Sequence, residues 1–331
     1  GLKNPLFWFH PLVRKYLYYY RWADAVVCAP GGICMGGFMI WEHEEQLLIA
    51  MKLRKPIFYY GRSIGPFWDE PKEKKVFKQQ AIQILNYASY VSLRDATSIK
   101  IAKDLGINNV IETTDTAFLD YPQVEIPEEI LREIGGKEYV VFVPNSLIWH
   151  YFYRGKATGD EVVTYWSKVA KVIAKHYPNH KIVMLPQTSL QGKAFDDKYL
   201  FQDIQKHCPE LDIFVSDDIY SSDIQQQIIR GADAVFGARY HTIVFAINNN
   251  VPFVSLSYEH KMSGLLEELS LQDEMIDITN LFTSEEDNDR ILKQLDDLIP
   301  LTHRNPNEKN TAKDKAKKAF NIFAEKIKCI L

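Results

Sequence analysis

Short runs of consecutive apolar residues alternate along the chain with longer amphipathic stretches. The runs are uninterrupted by polar residues, as expected of parallel strands covered on both faces. The longer stretches have the apolar spacing of helices. This alternation predicts an α/β fold with parallel sheets. In the first half the predicted strands are 25–29, 56–60, 89–93 and 110–112, and the predicted helices are 42–53, 71–87 and 96–104.

The same alternation resumes after residues 120–138, a stretch rich in proline, glutamate and glycine that is predicted to be a linker. We therefore predict two Rossmann-like domains facing a cleft, at 1–130 and 139–305. Residues 306–331 are predicted to add a terminal helix that packs back on the first domain. In the second half the predicted strands are 139–144, 181–185, 212–215, 234–236 and 252–256, and the predicted helices include 160–176, 198–207, 222–230 and 308–328.

An internal echo supports two similar halves. Residues 21–29 and 230–238 share Arg, Ala, Asp, Ala, Val and Ala at equivalent positions. Each copy is followed by a turn, an apolar helix-like stretch and a proline that opens a strand, Pro56 in one and Pro252 in the other. The shared order indicates a repeated α/β unit.

The amino end departs from this pattern, because residues 5–22 are rich in aromatic side chains. One interpretation is a helix packed on the sheet. The other is an interfacial surface, with aromatics and Arg14, Lys15 and Arg21 near lipid headgroups, which would allow peripheral association with a membrane. A first strand upstream of Gly1 is compatible with either.

Composition narrows the class of protein. A chain of 331 residues favours two domains, and 46% hydrophobic with 25% charged residues is typical of a soluble globular protein. The net charge of −4 gives no support for nucleic-acid binding, so an anionic ligand must meet a local cluster of cations. Without a signal peptide or an apolar run of about 18 residues, no membrane span is predicted. The cysteine spacing favours reduced thiols in a cytoplasmic protein.

The most informative segment is 231–261. It predicts a buried strand, a turn with Arg239 and His241, an apolar helix, and a second strand that leads into Tyr258 and Lys261. A helix N-terminus presents unpaired N–H groups and partial positive charge, so anions bind there. Two cations and an imidazole at such a point predict the active site for a small anionic substrate. Five other histidines lie in polar or loop surroundings and are predicted to be solvated, namely His150, His176, His180, His207 and His303.

The first half carries polar motifs at predicted strand ends. Residues 30–37 contain four glycines after a strand, which favours a loop at the cleft over a tight turn alone. Residues 61–66 (Gly-Arg-Ser-Ile-Gly-Pro) follow the next strand. Arg94 and Asp95 end another strand and either bind an anion or cap and pair locally. Asp115 is either a helix cap or a carboxylate that orients a hydroxyl.

The histidine pattern predicts no metal centre, because the sequence has no His-Glu-x-x-His motif.

Together these motifs resemble the polysaccharide pyruvyl transferase family. The matching pieces run in the family's order over most of the chain. They are Gly31-Gly32, 61–66, 93–98 (Leu-Arg-Asp-Ala-Thr-Ser), 114–118 (Thr-Asp-Thr-Ala-Phe), 239–241 (Arg-Tyr-His) and 252–261.

The resemblance implies a GT-B-like fold and an enzyme that uses no cofactor. The enzyme is expected in the cytoplasm, and a position at the inner face of the membrane is an open alternative. Its reaction would transfer a pyruvyl group from phosphoenolpyruvate to a sugar as a ketal, with release of phosphate, in the biosynthesis of cell-surface polysaccharide. The acceptor would be a sugar or a lipid-linked saccharide.

The chemistry of this reaction, together with the family match, assigns roles to individual residues. His241 is the expected general acid, with a pKa depressed by neighbouring cations until the donor binds. Phosphoenolpyruvate is expected at Arg94, Arg239, Tyr240 and Lys261, with Arg94 reaching it from across the cleft. The acceptor is expected at Gly31, Gly32, Arg62, Ser63 and Asp115.

Two other functions remain open from sequence. A GT-B nucleotide-sugar glycosyltransferase would use the same glycines and cations to bind a diphosphate, although no convincing pair of glutamates for the ribose is found in the second half. A non-catalytic sugar-binding protein would need no acid, and loss of His241 would leave it unharmed. The sugar and the oligomeric state are not encoded in any motif.

Overall fold

The computed structural model describes residues 8–37, 39–150, 152–188 and 196–330. Contacts between Cα atoms divide the chain into two compact units. The first unit comprises the chain up to Leu119 together with the residues from Thr311 onward, and the second comprises Asp120–Asn310. The division therefore falls at 119/120, earlier than the predicted stretch between 130 and 139.

The first unit is an α/β structure. Its elements up to residue 112 are α1 (Pro11–Trp22), β1 (Val26–Cys28), β2 (Gly31–Gly36), α2 (Trp41–Lys52), β3 (Ile57–Gly65), α3 (Lys72–Tyr87), β4 (Tyr90–Leu93), α4 (Ala96–Asp104) and β5 (Val110–Glu112).

The second unit repeats the alternation. Its elements are α5 (Glu128–Ile134), β6 (Tyr139–Val143), α6 (Gly159–His176), β7 (Lys181–Met184), α7 (Asp197–His207), β8 (Ile213–Val215), α8 (Ser222–Arg230), β9 (Val235–Gly237), α9 (Tyr240–Asn249), β10 (Phe253–Ser257), α10 (His260–Glu268), β11 (Met275–Asp277) and α11 (Glu285–Leu298). The last helix of the chain is α12 (Pro306–Lys328).

Both sheets are parallel, which confirms the predicted fold class. The first has the order β1-β3-β4-β5, with β2 also paired to β3, and the second has the order β11-β10-β9-β6-β7-β8. Several strands are covered on both faces, as in the apolar strand β6, where all five residues are buried. Polar groups that follow the strands are thereby collected at one edge of each sheet.

The internal echo corresponds to the same local structure in each unit. The amide of Val26 donates to the carbonyl of Pro56 at 2.9 Å, and the amide of Val235 donates to that of Pro252 at 2.9 Å. In both copies the proline carbonyl thus starts a parallel strand pair. The first copy differs because an extra strand, β2, comes between β1 and β3 in the sequence.

The glycine segment 30–37 is not the predicted loop. Gly31 to Gly36 form β2, which pairs with the second half of β3 while β1 pairs with the first half. Gly36 has a φ of 138°, and a Cβ there would collide with the backbone of Gly65. Close approach of two backbones therefore explains this glycine.

The predicted linker 120–138 is also partly wrong, because it contains α5. Ile130 and Ile134 are spaced by one helical turn and are both buried, at 0% and 8% exposure. The helix ends at Gly135 in the left-handed region, with a φ of 41°. The surrounding prolines and glutamates conceal this short apolar face in the sequence.

Helix α12 contributes to the first unit from Thr311 onward. Ala312, Ala316 and Ala319 are buried, and the Tyr90 hydroxyl donates to the Ala319 carbonyl at 2.8 Å. The Phe323 ring stacks on Tyr60 with centroids 4.7 Å apart. Small residues let the helix approach the sheet, and the aromatic rings fill the space beyond them.

Helix α1 has a core-facing side and an exposed side. Val13 is buried and Tyr20 packs on the apolar core of the first unit. Tyr18 and Trp22 are each 69% exposed. The buried side fits a helix packed on the sheet, and the exposed side is compatible with an interfacial surface. In the part of the chain that the structure describes, no helix is long and apolar enough to cross a membrane.

Glu44 in α2 predicts an unusual pH dependence of stability. It is fully buried, neither carboxylate oxygen has a hydrogen-bond partner among the described residues, and burial raises the pKa of its carboxyl to about 9. Because the folded-state pKa lies above the unfolded value, the folded state holds the extra proton. Between roughly pH 4.5 and 9, unfolding free energy should fall by about 1.4 kcal/mol per pH unit.

We expect Glu44→Gln to raise the melting temperature at pH 8 much more than at pH 5, measured by thermal unfolding. Glu42→Gln, at an exposed position of the same helix, is the control and should show no such pH dependence. An equal gain for Glu44→Gln at both pH values would show that Glu44 is not protonated in the folded state.

Candidate active site

The candidate site lies at the carboxyl edge of the second sheet. Strands β10, β9, β6 and β7 are consecutive neighbours there. The chain places Tyr258 and Glu259 directly after β10, Arg239 after β9, and Asn145 after β6. In parallel sheets this edge is where ligands bind, because loops and helix N-termini open onto it.

Helix α9 begins at this edge. Arg239 occupies its N-cap position but makes no side-chain cap, and the first turn contains no acidic residue. The amide groups of the first turn therefore keep their partial positive charge without an acidic side chain to offset it. An anion placed here would gain both the amide hydrogens and the helix dipole.

Arg239 is held by a buried carboxylate. Its Nη2 forms an ion pair with Oδ1 of Asp197, the first residue of α7, which is 2% exposed. The other carboxylate oxygen accepts the amides of Gln187 at 3.0 Å and Thr188 at 2.9 Å. Burial raises the pKa of Asp197, and the guanidinium and the two amides only partly offset this rise.

Lys261 is held in a similar way. Its Nζ lies 2.6 Å from Oε2 of Glu259, and Oε1 of Glu259 lies 3.3 Å from Nε2 of His150. Burial alone would raise the pKa of Glu259, but His150 and Lys261 outweigh it and hold that pKa at about 2. Glu259 is therefore ionised at neutral pH although it is buried.

His150 corrects a sequence prediction, since it is not solvated. It is 1% exposed, and its ring packs against that of Tyr258 with centroids 5.2 Å apart. Its Nδ1 accepts the amide of Phe152 at 3.4 Å, which leaves Nε2 to carry the proton toward Glu259 in the neutral imidazole. The loop context of His150 in the sequence gives no sign of this burial.

The ring of Tyr240 joins the predicted residues. The Nζ of Lys261 lies 6.0 Å from its centroid, and the imidazole of His241 lies 5.3 Å from it. His241 itself is exposed and also packs on Phe245 at 5.9 Å. The structure thus brings Arg239, Tyr240, His241 and Lys261 together at one helix end.

Tyr258 lies between the two ion pairs. It is fully buried, and burial together with the charge of Glu259 raises the pKa of its hydroxyl, while Arg239 partly opposes this. The hydroxyl accepts from Nδ2 of Asn145 at 2.7 Å, and the carbonyl of Asn145 accepts the Trp166 indole at 2.8 Å. Asn145 thus links Tyr258 to Trp166 in the core of the second unit.

The remaining predicted residues form a second group in the first unit. Arg94 pairs with Asp115 through Nη1, and its Nε donates to the Ser63 hydroxyl at 3.2 Å. All three are buried. Arg62 donates to the carbonyls of Ala29 at 2.6 Å and of Gly32 at 3.2 Å.

The structure shows local contacts for Asp95 and Asp115, whose roles the sequence left open. Asp95 caps α4, accepting the Ser98 amide at 2.7 Å, so the local role is confirmed for Asp95. Asp115 accepts the Ala117 amide at 2.9 Å and so stabilises the short helix Thr116–Leu119 while it also pairs with Arg94. The assignment of Arg94 to the donor and of this group to the acceptor stays a prediction.

Asp197, Glu259 and Asn145 were not among the residues predicted from the sequence, and His150 was predicted to be solvated. Asn145 could have been found, because it follows a predicted strand end like Arg239 does. Asp197 lies in a polar stretch with no strand before it. Within the described ranges, no cluster of three or more His, Cys, Asp or Glu side chains has the arrangement of a metal site.

Comparisons with known proteins add to this geometry. The family model described as polysaccharide pyruvyl transferase matches residues 2–260. The amylovoran biosynthesis protein AmsJ of Erwinia amylovora is 25% identical over 271 residues, which cover 78% of this chain and 62% of that protein. The chain thus spans about three fifths of the length of this curated relative.

Two solved structures resemble the fold at low identity. A protein of Listeria monocytogenes described as a UDP-N-acetylglucosamine 2-epimerase has a TM-score of 0.51 at 11% identity, covering 91% of this chain and 72% of that one. A trehalose-6-phosphate synthase has a TM-score of 0.50 at 10% identity, covering 97% and 78%. These likenesses support the GT-B-like fold class and carry no information on substrates.

Proposed function

Because the chain belongs to the polysaccharide pyruvyl transferase family, we propose that it moves a pyruvyl group from phosphoenolpyruvate onto two hydroxyls of a sugar. The product is a cyclic ketal and phosphate, formed in polysaccharide biosynthesis. The observation that carries this proposal is that His241 and Lys261 lie around the Tyr240 ring at the N-terminus of α9, where Arg239 is the N-cap residue.

The donor chemistry fits this convergence. Phosphoenolpyruvate carries a carboxylate and a phosphate, and each needs a fixed positive partner. A guanidinium offers a planar fork to one anion, an ammonium offers a point charge to the other, and the α9 amides can take either. Lys261 lies one residue beyond the segment that the family model matches, so its assignment rests on its contacts with Glu259 and Tyr240.

The proposed reaction begins with a proton. His241 as imidazolium gives its proton to the methylene carbon of the donor, which becomes a methyl group and leaves an oxocarbenium-like centre at C2. A sugar hydroxyl adds to C2 and loses its proton, which the imidazole can take back. A second hydroxyl then adds to C2 as the bond to the phosphate oxygen breaks, and its proton leaves with phosphate.

The direct test is to incubate the protein with phosphoenolpyruvate and candidate sugars, free and lipid-linked. Phosphate release that depends on the sugar, together with a sugar product whose mass rises by that of a ketal-linked pyruvyl group, would support the proposal. Phosphate release without a ketal product would indicate a different fate for the donor and contradict it.

We also propose that the first unit binds the acceptor, and Gly32 offers a test. A Cβ at Gly32 meets no atom within 4 Å, so a larger side chain there would project into open space without disturbing the core. Gly32→Val should raise the KM for the acceptor severalfold and leave phosphoenolpyruvate affinity unchanged, the signature of lost binding to one substrate.

Gly159→Val is the matched control, because Gly159 also has no atom within 4 Å of a Cβ but lies in α6 of the second unit. It should leave both substrates unaffected. Impaired donor binding with normal acceptor kinetics in Gly32→Val would reverse the assignment of substrates to units.

For α1 we propose contact with an anionic lipid surface. Its exposed side combines Tyr18, Tyr19 and Trp22 with cations, and the helix contains no acidic residue. Aromatic rings with cations suit the headgroup region of a bilayer.

Reversing the charges of Arg14, Lys15 and Arg21 to glutamate should abolish sedimentation with vesicles that contain phosphatidylglycerol. Reversal of the exposed Lys313, Lys317 and Lys318 in α12 changes net charge equally and should not. If both triple variants lose binding alike, the attraction is a matter of net charge and not of α1.

A further inference from the structure

The two cations of the candidate site are each paired with a buried carboxylate that the proposed reaction does not use. We propose that Asp197 and Glu259 are positioning residues, which hold Arg239 and Lys261 in the geometry that receives the donor. This inference rests on the proposed function, because it assigns the purpose of the two pairs to the binding of phosphoenolpyruvate.

Asp197 divides its two oxygens between an anchor and the cation. Oδ2 accepts two backbone amides, those of Gln187 and Thr188, at the end of β7. Oδ1 faces Nη2 of Arg239. The carboxylate of Asp197 is almost fully buried and bound to backbone amides, so its position is fixed. The guanidinium that pairs with it is therefore fixed as well. Its Nε is buried and has no hydrogen-bond partner among the described residues, which leaves a donor for a ligand.

Glu259 shows the same division by different means. Oε1 faces the buried imidazole of His150, and Oε2 faces Nζ of Lys261. The anchor is here a side chain that is itself packed between aromatic rings, Tyr258 and Tyr153, at 5.2 and 6.0 Å. Backbone amides fix Asp197 and a buried imidazole fixes Glu259. In both cases the fixed carboxylate holds a cation by an ion pair.

This arrangement has a physical advantage for binding a small molecule with two anionic groups. A flexible lysine or arginine loses side-chain freedom when it binds, and a cation already fixed has less to lose. Errors of about 1 Å in such positions can cost on the order of a hundredfold in rate. The carboxylates also balance the positive charges of Arg239 and Lys261.

The experiment is a pair of double-mutant cycles read by calorimetric titration with phosphoenolpyruvate. Asp197→Asn and Arg239→Met are made singly and together, as are Glu259→Gln and Lys261→Met. If each carboxylate acts through its cation, Asp197→Asn and Glu259→Gln each weaken donor binding at least about tenfold. Each double variant is then no weaker than its cation variant alone.

Crossed combinations supply the internal comparison. Asp197→Asn with Lys261→Met, and Glu259→Gln with Arg239→Met, join residues of different pairs and should give additive losses. Glu274→Gln controls for burial, because Glu274 is a buried carboxylate of the same unit whose ion-pair partner is His303, at 3.1 Å. It should lower the melting temperature and leave donor affinity unchanged.

Asp197→Glu and Glu259→Asp provide a second route if the amide variants do not fold. Both keep the charge but change the reach, so they should lose donor affinity while retaining more stability. Unchanged affinity in folded Asp197 and Glu259 variants, or additive losses within each pair, would overturn the inference alone. A wild-type protein that does not bind phosphoenolpyruvate would overturn the proposed function and the inference with it.

Discussion

Replacement of His241 by alanine is expected to lower turnover by about a hundredfold to ten-thousandfold, the range of a general acid. Phosphoenolpyruvate should still bind, because its expected partners Arg239 and Lys261 are held by other residues. The fold should be unaffected, since the imidazole is exposed and its described ring contacts are with Tyr240 and Phe245. Phosphate release, calorimetric donor affinity and melting temperature together check the three statements.

The matched control is His207→Ala, another exposed histidine of the second unit, which lies at the end of α7. It should leave turnover unchanged. Near-normal turnover in the His241 variant would remove this residue from the role of acid. Lost turnover accompanied by lost donor binding would make His241 a binding group instead.

Substitution of Arg239 is expected to have the second largest effect. Arg239→Ala and Arg239→Lys should both weaken phosphoenolpyruvate binding at least about tenfold. Alanine removes the positive charge, and the point charge of lysine does not reproduce the planar fork of the guanidinium. They should differ in stability. Alanine leaves Asp197 buried without its cation, whereas lysine keeps a positive partner within reach.

Calorimetry and thermal unfolding separate these effects. Lys261→Ala is expected to behave like Arg239→Ala with a milder loss of affinity, since the side chain of Lys261 is more exposed, at 20% against 13%. Full recovery of donor affinity in Arg239→Lys would show that charge alone matters there. Unchanged affinity in every one of these variants would mean that the donor binds elsewhere.

The sequence was sufficient to predict the segment around Arg239 and His241. Its strands are uninterrupted apolar runs, and in a parallel sheet the residue after such a run must lie at the carboxyl edge. The same logic predicted the strands before Arg94 and Arg62. What decides each of these placements is local periodicity, which a single sequence displays directly.

The supporting residues could not be predicted for the opposite reason. Asp197, Glu259 and His150 are polar side chains that become buried only because elements distant in sequence pack around them. Glu259 does follow a predicted strand end, but the residues around Asp197 and His150 in the chain give no sign of their burial. The glycine segment failed similarly, since its pairing with the far half of β3 depends on a backbone contact between Gly36 and Gly65.

Helix α9 has a consequence for hydrogen exchange. Nine of its ten residues are buried, and His241 is the exception. Amides in such a helix exchange only through large-scale opening of the unit, so their protection should approach that of the β9 and β10 core. Because the donor binds the folded unit and not the opened one, its binding should make this opening rarer and slow the exchange of the α9 amides. The slowing should match that of β9 and β10, since all three exchange through the same opening.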